Sequence, residues 1–122
     1  MFKLSERSKR ELATCHHDLQ RIGEALILKV DFTVIKGRRG KEEQNKAFAE
    51  GKSKLKYPFS KHNPDPSLAF DLAPNPIDWN DTDKFIIFGE LVMKTADELG
   101  IRLKWGRDFS FKDLVHFEMI TR

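Results

Sequence analysis

The sequence predicts an α+β fold in which a small, mainly antiparallel sheet packs with about three helices. Three observations lead there. Apolar residues recur at helical spacing in two long segments; four short runs rich in β-branched or aromatic residues are punctuated by Gly and Pro; and the elements read helix, strand, helix, strand, helix, strand, strand. That order lacks the regular strand–helix alternation of a parallel sheet. A chain of 122 residues is expected to form one domain over 1–122 and to bury roughly two-thirds of its unfolded surface without staples.

From Ser5 to about Val30, Leu12, Cys15, Leu19, Ile22 and Leu26 form one stripe of an amphipathic helix. Cys15 lies in that stripe and reads as a small buried hydrophobe, since no cationic neighbour marks it as a reactive thiol. His16 and His17 point about 100° apart on a helix and read as surface residues. Asp31 to Ile35 is a strand ended by Gly37, and Lys41 to Glu50 a short helix closed by Gly51. Residues 52–67 hold three prolines and no helical period, so they form a loop. Leu68 to Ala73 reads as a strand. Asp81 to Leu99 is a helix with Asp81 or Thr82 as cap and Gly100 as stop, its apolar register set by Phe85, Phe88, Val92, Ala96 and Leu99. Ile101 to Trp105 and Leu114 to Ile120 are the last two strands.

A hydrophobic fraction of 39% with ten Phe excludes a disordered chain, and no apolar run approaches the roughly 20 residues of a membrane span. The lone cysteine cannot form an internal disulfide. The opening MFKLSERSKR lacks the apolar core of a secretory signal, so synthesis in a reducing cytoplasm is expected. The net charge of +3 hides a division: residues 36–61 carry nine basic and three acidic side chains, residues 62–101 two and eight. Such a division fits either a cleft with a cationic wall or solvated faces of opposite sign.

His62 and His116 lie away from the first helix. Strand alternation puts Asp71 on the face opposite Phe70 and Leu72, and puts His116 with Glu118 on the face opposite Val115, Phe117 and Met119. Asp71 and His116 could thus meet on neighbouring strands, with His62 arriving from the loop ahead. Spacing alone leaves two readings open, a His/Asp/His metal site or an accidental meeting in a chain with 19 acidic residues.

Ser60-Lys61-His62, then Ala69-Phe70-Asp71, then Asp113-Leu114-Val115-His116 resemble the ordered SxH, AxD and DxxH motifs of the D-Ala-D-Ala carboxypeptidase/L-alanyl-D-glutamate endopeptidase family of zinc peptidases, above all its small bacteriophage endolysins. Gly37-Arg38-Arg39, Gln44, Gly51-Lys52-Ser53, Asp71-Leu72-Ala73-Pro74 and the run Pro76 to Asp81 resemble further landmarks in the same order. The resemblance implies a hedgehog/DD-peptidase-like fold and Zn²⁺ held by His62, Asp71 and His116. It also implies Asp113 as general base, Arg39 as a clamp for a substrate carboxylate, with Arg38 as its rival, and Ser60 as a substrate or ligand-orienting contact. Glu118 rivals Asp113 because it shares a face with His116; in a continuous strand Asp113 would face away, so it must lie in the preceding turn or at a bulge.

The implied activity is hydrolysis of a peptidoglycan stem peptide, L-alanyl-D-glutamate before D-alanyl-D-alanine, by a monomer that neither binds nucleic acid nor inserts stably in a membrane. Such an endolysin would reach the wall of the host cell through a lesion made by a holin-type partner. The competing classes are a polyanion-binding module built on residues 36–61 and a non-catalytic virion component. The sequence departs from the family in one respect. Asn63-Pro64-Asp65-Pro66-Ser67 lengthens the spacing from histidine to aspartate, and Ser67 stands where the pattern has Gly, which removes the φ freedom of that residue.

Overall fold

The apolar stripe at the start of the chain is carried by two helices. A computed structural model describes residues 1–120 and resolves α1 as Glu6–Ala13 and α2 as His17–Leu26. The single helix expected from the periodicity breaks at Thr14–His16, which raises the α-helices among the described residues to four. The cause is tertiary. The His16 amide donates to the Ser67 carbonyl at 2.8 Å and the Ser67 amide donates to the Thr14 carbonyl at 2.9 Å, so these residues leave the helix to form a parallel bridge. Both helices are capped at their N-termini. Ser5 Oγ accepts the Ser8 amide at 3.1 Å and His16 Nδ1 accepts the Asp18 amide at 3.0 Å. The stripe still reaches the core, because Leu19, Ile22 and Leu26 are fully buried on one side of the break and Leu12 and Cys15 nearly so on the other. Burial pushes the Cys15 thiol up to about 12, in keeping with a filler.

The remaining elements are β1 (Phe32–Lys36), α3 (Lys41–Ala49), β2 (Ala69–Pro74), α4 (Thr82–Glu98), β3 (Leu103–Trp105), a 3₁₀ turn at Gly106–Asp108, and β4 (His116–Met119). The sheet runs β1-β2-β4-β3, and every neighbouring pair is antiparallel. The last strand starts two residues later than expected. Leu114 and Val115 belong to a turn closed by the His116 amide donating to the Asp113 carbonyl at 3.3 Å. Among the described residues, no helix is long and apolar enough to cross a membrane.

Leu12, Leu19, Ile22 and Leu26 from the first two helices pack with Phe88, Val92 and Ala96 of α4 and with Val34, Phe70, Leu72 and Phe117 of the sheet. Phe117 stacks on Trp105 at 5.8 Å and meets Phe70 edge-on at 6.3 Å. Helix α4 lies so close to this cluster that a Cβ on Gly89 would overlap the Trp105 indole, which is itself pinned by Nε1 donating to the Leu114 carbonyl at 2.9 Å. Gly89→Ala is therefore expected to destabilise the fold by about 1–3 kcal/mol through overpacking. Urea denaturation checks this, and a midpoint at or above that of the parent protein would refute it. The core fills one face of the sheet, leaving Asp71, His116 and Glu118 on the other, beneath the loop that follows α3.

Candidate metal centre

Strand register brings the predicted ligands together. Asp71 and His116 are direct partners across β2 and β4, a pairing that the alternation of both segments allows. His116 Nδ1 lies 3.1 Å from Asp71 Oδ1, His62 Nε2 lies 3.2 Å from the same oxygen, and the two nitrogens are 3.2 Å apart. Three ligand atoms of the types zinc takes thus converge on one point. All three side chains are largely shielded from solvent, at 4%, 14% and 11% exposure for His62, Asp71 and His116.

The far nitrogens of both rings are also held. His62 Nδ1 lies 2.7 Å from the Gly37 carbonyl, which can only accept, so Nδ1 carries a proton and Nε2 is left as the ligand atom. His116 Nε2 lies 2.8 Å from Glu118 Oε1, which leaves Nδ1 as the ligand atom. A carboxylate or carbonyl behind each ligating imidazole is the usual support of a metal site. The set therefore fits a zinc ion on its own geometry.

The electrostatics agree. Burial opposes ionisation of Asp71, but the charge on His62 and the hydrogen bonds of both rings outweigh it and hold the carboxyl well below the usual range. Burial likewise opposes charge on His116, yet the Asp71 and Glu118 carboxylates on either side push it up to about 9. A cation taking Nδ1 at neutral pH has to displace that proton.

The loop that delivers His62 is tied down from several directions. Ser60 Oγ accepts the His62 amide at 3.1 Å, and the His62 carbonyl accepts the Arg39 amide at 2.8 Å. Asn63 joins both segments, its Oδ1 accepting the Ser60 amide at 2.9 Å while its Nδ2 donates to the Arg39 carbonyl at 2.9 Å. Beneath them Gln44 is fully buried. Its Nε2 donates to Ser53 Oγ and to the Leu55 carbonyl, and its Oε1 accepts from Asn63 Nδ2 at 3.1 Å and Arg39 Nη1 at 3.3 Å. Ser67, at the family's Gly place, has no positive φ; its buried hydroxyl donates to the Ala69 carbonyl at 2.7 Å. The longer loop is thus closed by side-chain hydrogen bonds without the freedom of Gly.

Arg39 and Arg38 diverge. The Arg39 guanidinium rests on Gln44, while Arg38 Nε donates to the Asn63 carbonyl at 3.3 Å and its amide to Thr14 Oγ1 at 2.7 Å. Asp113 lies in the turn before β4, where its amide donates to the Gly106 carbonyl at 3.0 Å; a Cβ on Gly106 would overlap the Asp113 carbonyl, so only Gly permits this approach. Partial burial, then the nearby negative charge of Asp71, raise the Asp113 pKa. Glu118 is placed differently, on the Nε2 side of His116 and away from the nitrogen that faces Asp71.

The supporting roles of Gly37, Gln44, Asn63 and Glu118 escape sequence reasoning. Gly37 and Gln44 stood out only as landmarks of the resemblance, with no role attached, and the one signal from Glu118, its shared face with His116, suggested a different role. A hollow of about 210 Å³ adjoins Asp113. A larger one of about 370 Å³ lies at the end of α4 and is lined by none of the three ligands.

Comparison with known proteins follows the same line. Residues 1–121 match the family model for phage L-alanyl-D-glutamate peptidases. The chain is 35% identical over 123 residues to the L-alanyl-D-glutamate peptidase of Escherichia phage T5, covering 97% of this chain and 89% of that protein. Its fold matches the crystal structure of the Serratia marcescens L-Ala D-Glu endopeptidase ChiX with a TM-score of 0.82 at 26% identity, over 98% of this chain and 90% of the other.

Proposed function

Because the chain belongs to the phage L-alanyl-D-glutamate peptidase family, we propose that it is an endolysin-type zinc peptidase that hydrolyses the L-alanyl-D-glutamate bond of peptidoglycan stem peptides. The observation that carries this reading is the convergence of His62 Nε2, Asp71 Oδ1 and His116 Nδ1 at 3.1–3.2 Å, each ring braced from behind. Zinc in this set would act as a Lewis acid on the scissile carbonyl and acidify water beside it.

The remaining chemistry belongs to the chain. Asp113 accepts the proton of the attacking water and passes it to the departing amine of D-Glu, a task suited to a carboxyl whose pKa is raised by burial and by the charge of Asp71. Arg39 holds the free carboxylate of D-Glu through its guanidinium, and its backbone bond to His62 fixes that clamp relative to the ligands. Ser60 steadies the His62 amide. The lysines of residues 52–56 give the anionic wall a cationic approach. The enzyme acts as a monomer and reaches the wall through a lesion made by a holin-type partner.

Glu118 orients His116 and does not take the water's proton. Glu118→Gln is expected to weaken zinc affinity by about 10- to 100-fold, with turnover returning at saturating zinc. Competition with a chromophoric chelator measures the first, and unchanged zinc affinity with lost turnover would make Glu118 the base. The whole reading is tested by digesting purified murein with and without chelator and weighing the fragments. Cleavage between L-Ala and D-Glu that stops on chelation is expected. Scission at D-alanyl-D-alanine, or none by the zinc-loaded protein, would overturn it.

A further inference from the structure

We infer that the hollow beside Asp113 is a subsite for the amino sugar that carries the stem peptide, with Trp79 as its stacking platform. This rests on the L-alanyl-D-glutamate reading and extends it to the sugar side of the cut.

The hollow, about 210 Å³, is lined by Trp79, Thr82, Phe85, Lys112 and Asp113, together with Leu114 and Val115 of the same turn. Trp79 is 64% exposed, yet its ring is backed by the buried Phe85, stacked at 5.4 Å and 17°. One indole face is therefore held and the other open. The turn that presents it is fastened: Lys84 Nζ donates to the Pro76 carbonyl at 2.6 Å, and the Asp81 amide to the Asp78 carbonyl at 3.0 Å. A large aromatic fixed at the surface beside a candidate proton acceptor contributes little to the core and suits a ligand with an apolar face.

Strand register gives the direction. Lys36 pairs with Asp71 and Phe32 with Pro74, so Gly37–Arg39, which continue β1, run on towards the start of β2. Trp79 follows the end of β2 at Pro74, and the Leu72 amide donates to the Val115 carbonyl at 2.9 Å, which puts the Asp113 turn at that same end. Arg39 and the hollow thus lie towards opposite ends of β2 with Asp71 between them. In the stem peptide the D-Glu carboxylate is on the amine side of the bond, while L-Ala is joined on the acyl side to the lactyl group of the sugar. With the carboxylate at Arg39, the acyl side points to Trp79. The C–H face of a pyranose matches the indole, and its hydroxyl and acetamido groups match Thr82 and Lys112 at the rim.

The test compares two substrates for the zinc-loaded enzyme, an N-acetylmuramoyl stem peptide and the same peptide without sugar. The parent protein is expected to favour the sugar-bearing substrate in kcat/KM by about tenfold, the size of one good aromatic contact. Trp79→Ala should bring that ratio towards unity, and Trp79→Phe should retain most of it. A ratio unchanged by Trp79→Ala, or absent from the parent protein, overturns the subsite. Cleavage of neither substrate by the parent protein overturns the underlying reading and the subsite with it.

Discussion

Replacing His116 with alanine is expected to remove zinc from the purified protein and to lower murein hydrolysis to the level of chelator-treated enzyme. His116 is the central member of the set, with Nδ1 3.1 Å from Asp71 and 3.2 Å from His62, and Nε2 2.8 Å from Glu118. Without the ring only two ligand atoms remain, and Glu118 loses the imidazole it holds. Since disturbing the support of a ligand costs about 10- to 100-fold in affinity, deleting the ligand itself costs more. The fold should survive, because the side chain lies on the sheet face opposite Phe70 and Phe117, whose packing does not involve it. Elemental analysis per chain, circular dichroism and fragment release from murein check the three parts. A folded His116→Ala protein with full zinc or parental turnover would remove the basis of the proposed mechanism.

The faces that make this pairing possible were legible in the sequence. Phe70 and Leu72 alternate with Asp71, and Phe117 alternates with His116 and Glu118, so a strand period of two assigned the polar residues to one face, and the register of β2 and β4 set Asp71 opposite His116. For Asp113 to serve the same site as His116 the sequence left a turn or a bulge open; the turn is what forms, and it extends two residues beyond the expected start of the strand. What stayed hidden shares one physical origin. The break between α1 and α2 is caused by Ser67, some fifty residues away, and a bridge between such distant residues leaves the three-and-four spacing of Leu12, Cys15 and Leu19 intact. Gln44 braces Arg39 and the ligand loop through a buried amide, yet the sequence marks it only as a landmark of the resemblance and gives no sign of the partners of that amide. Glu118 could be assigned to a face but not to a nitrogen. Whether it meets the side of the imidazole that faces Asp71 is a matter of ring orientation, which alternation does not encode.

That distinction makes Asp113 the second decisive position. Asp113→Asn is expected to keep stoichiometric zinc and lower kcat by about 10²- to 10⁴-fold, the usual contribution of a well-placed acid–base group. The amide keeps the shape of the carboxylate, and the turn survives because its hydrogen bonds to Gly106 and His116 use the Asp113 backbone. Loss of turnover cannot then be ascribed to unfolding, and the sign of the electrostatics strengthens the case. Burial and the charge of Asp71 raise the Asp113 pKa, so its ionised form is less favourable in the folded protein than in the unfolded chain. Above the folded pKa that charge opposes folding, and the asparagine variant should melt no lower than the parent protein at neutral pH. The parent's kcat/KM profile should show an acid limb from Asp113, which the residual activity of the variant should lack. Zinc titration, thermal melting and the pH profile together separate this outcome from a ligand defect. A variant that loses zinc, or one that keeps its turnover, would return the role of base to another group.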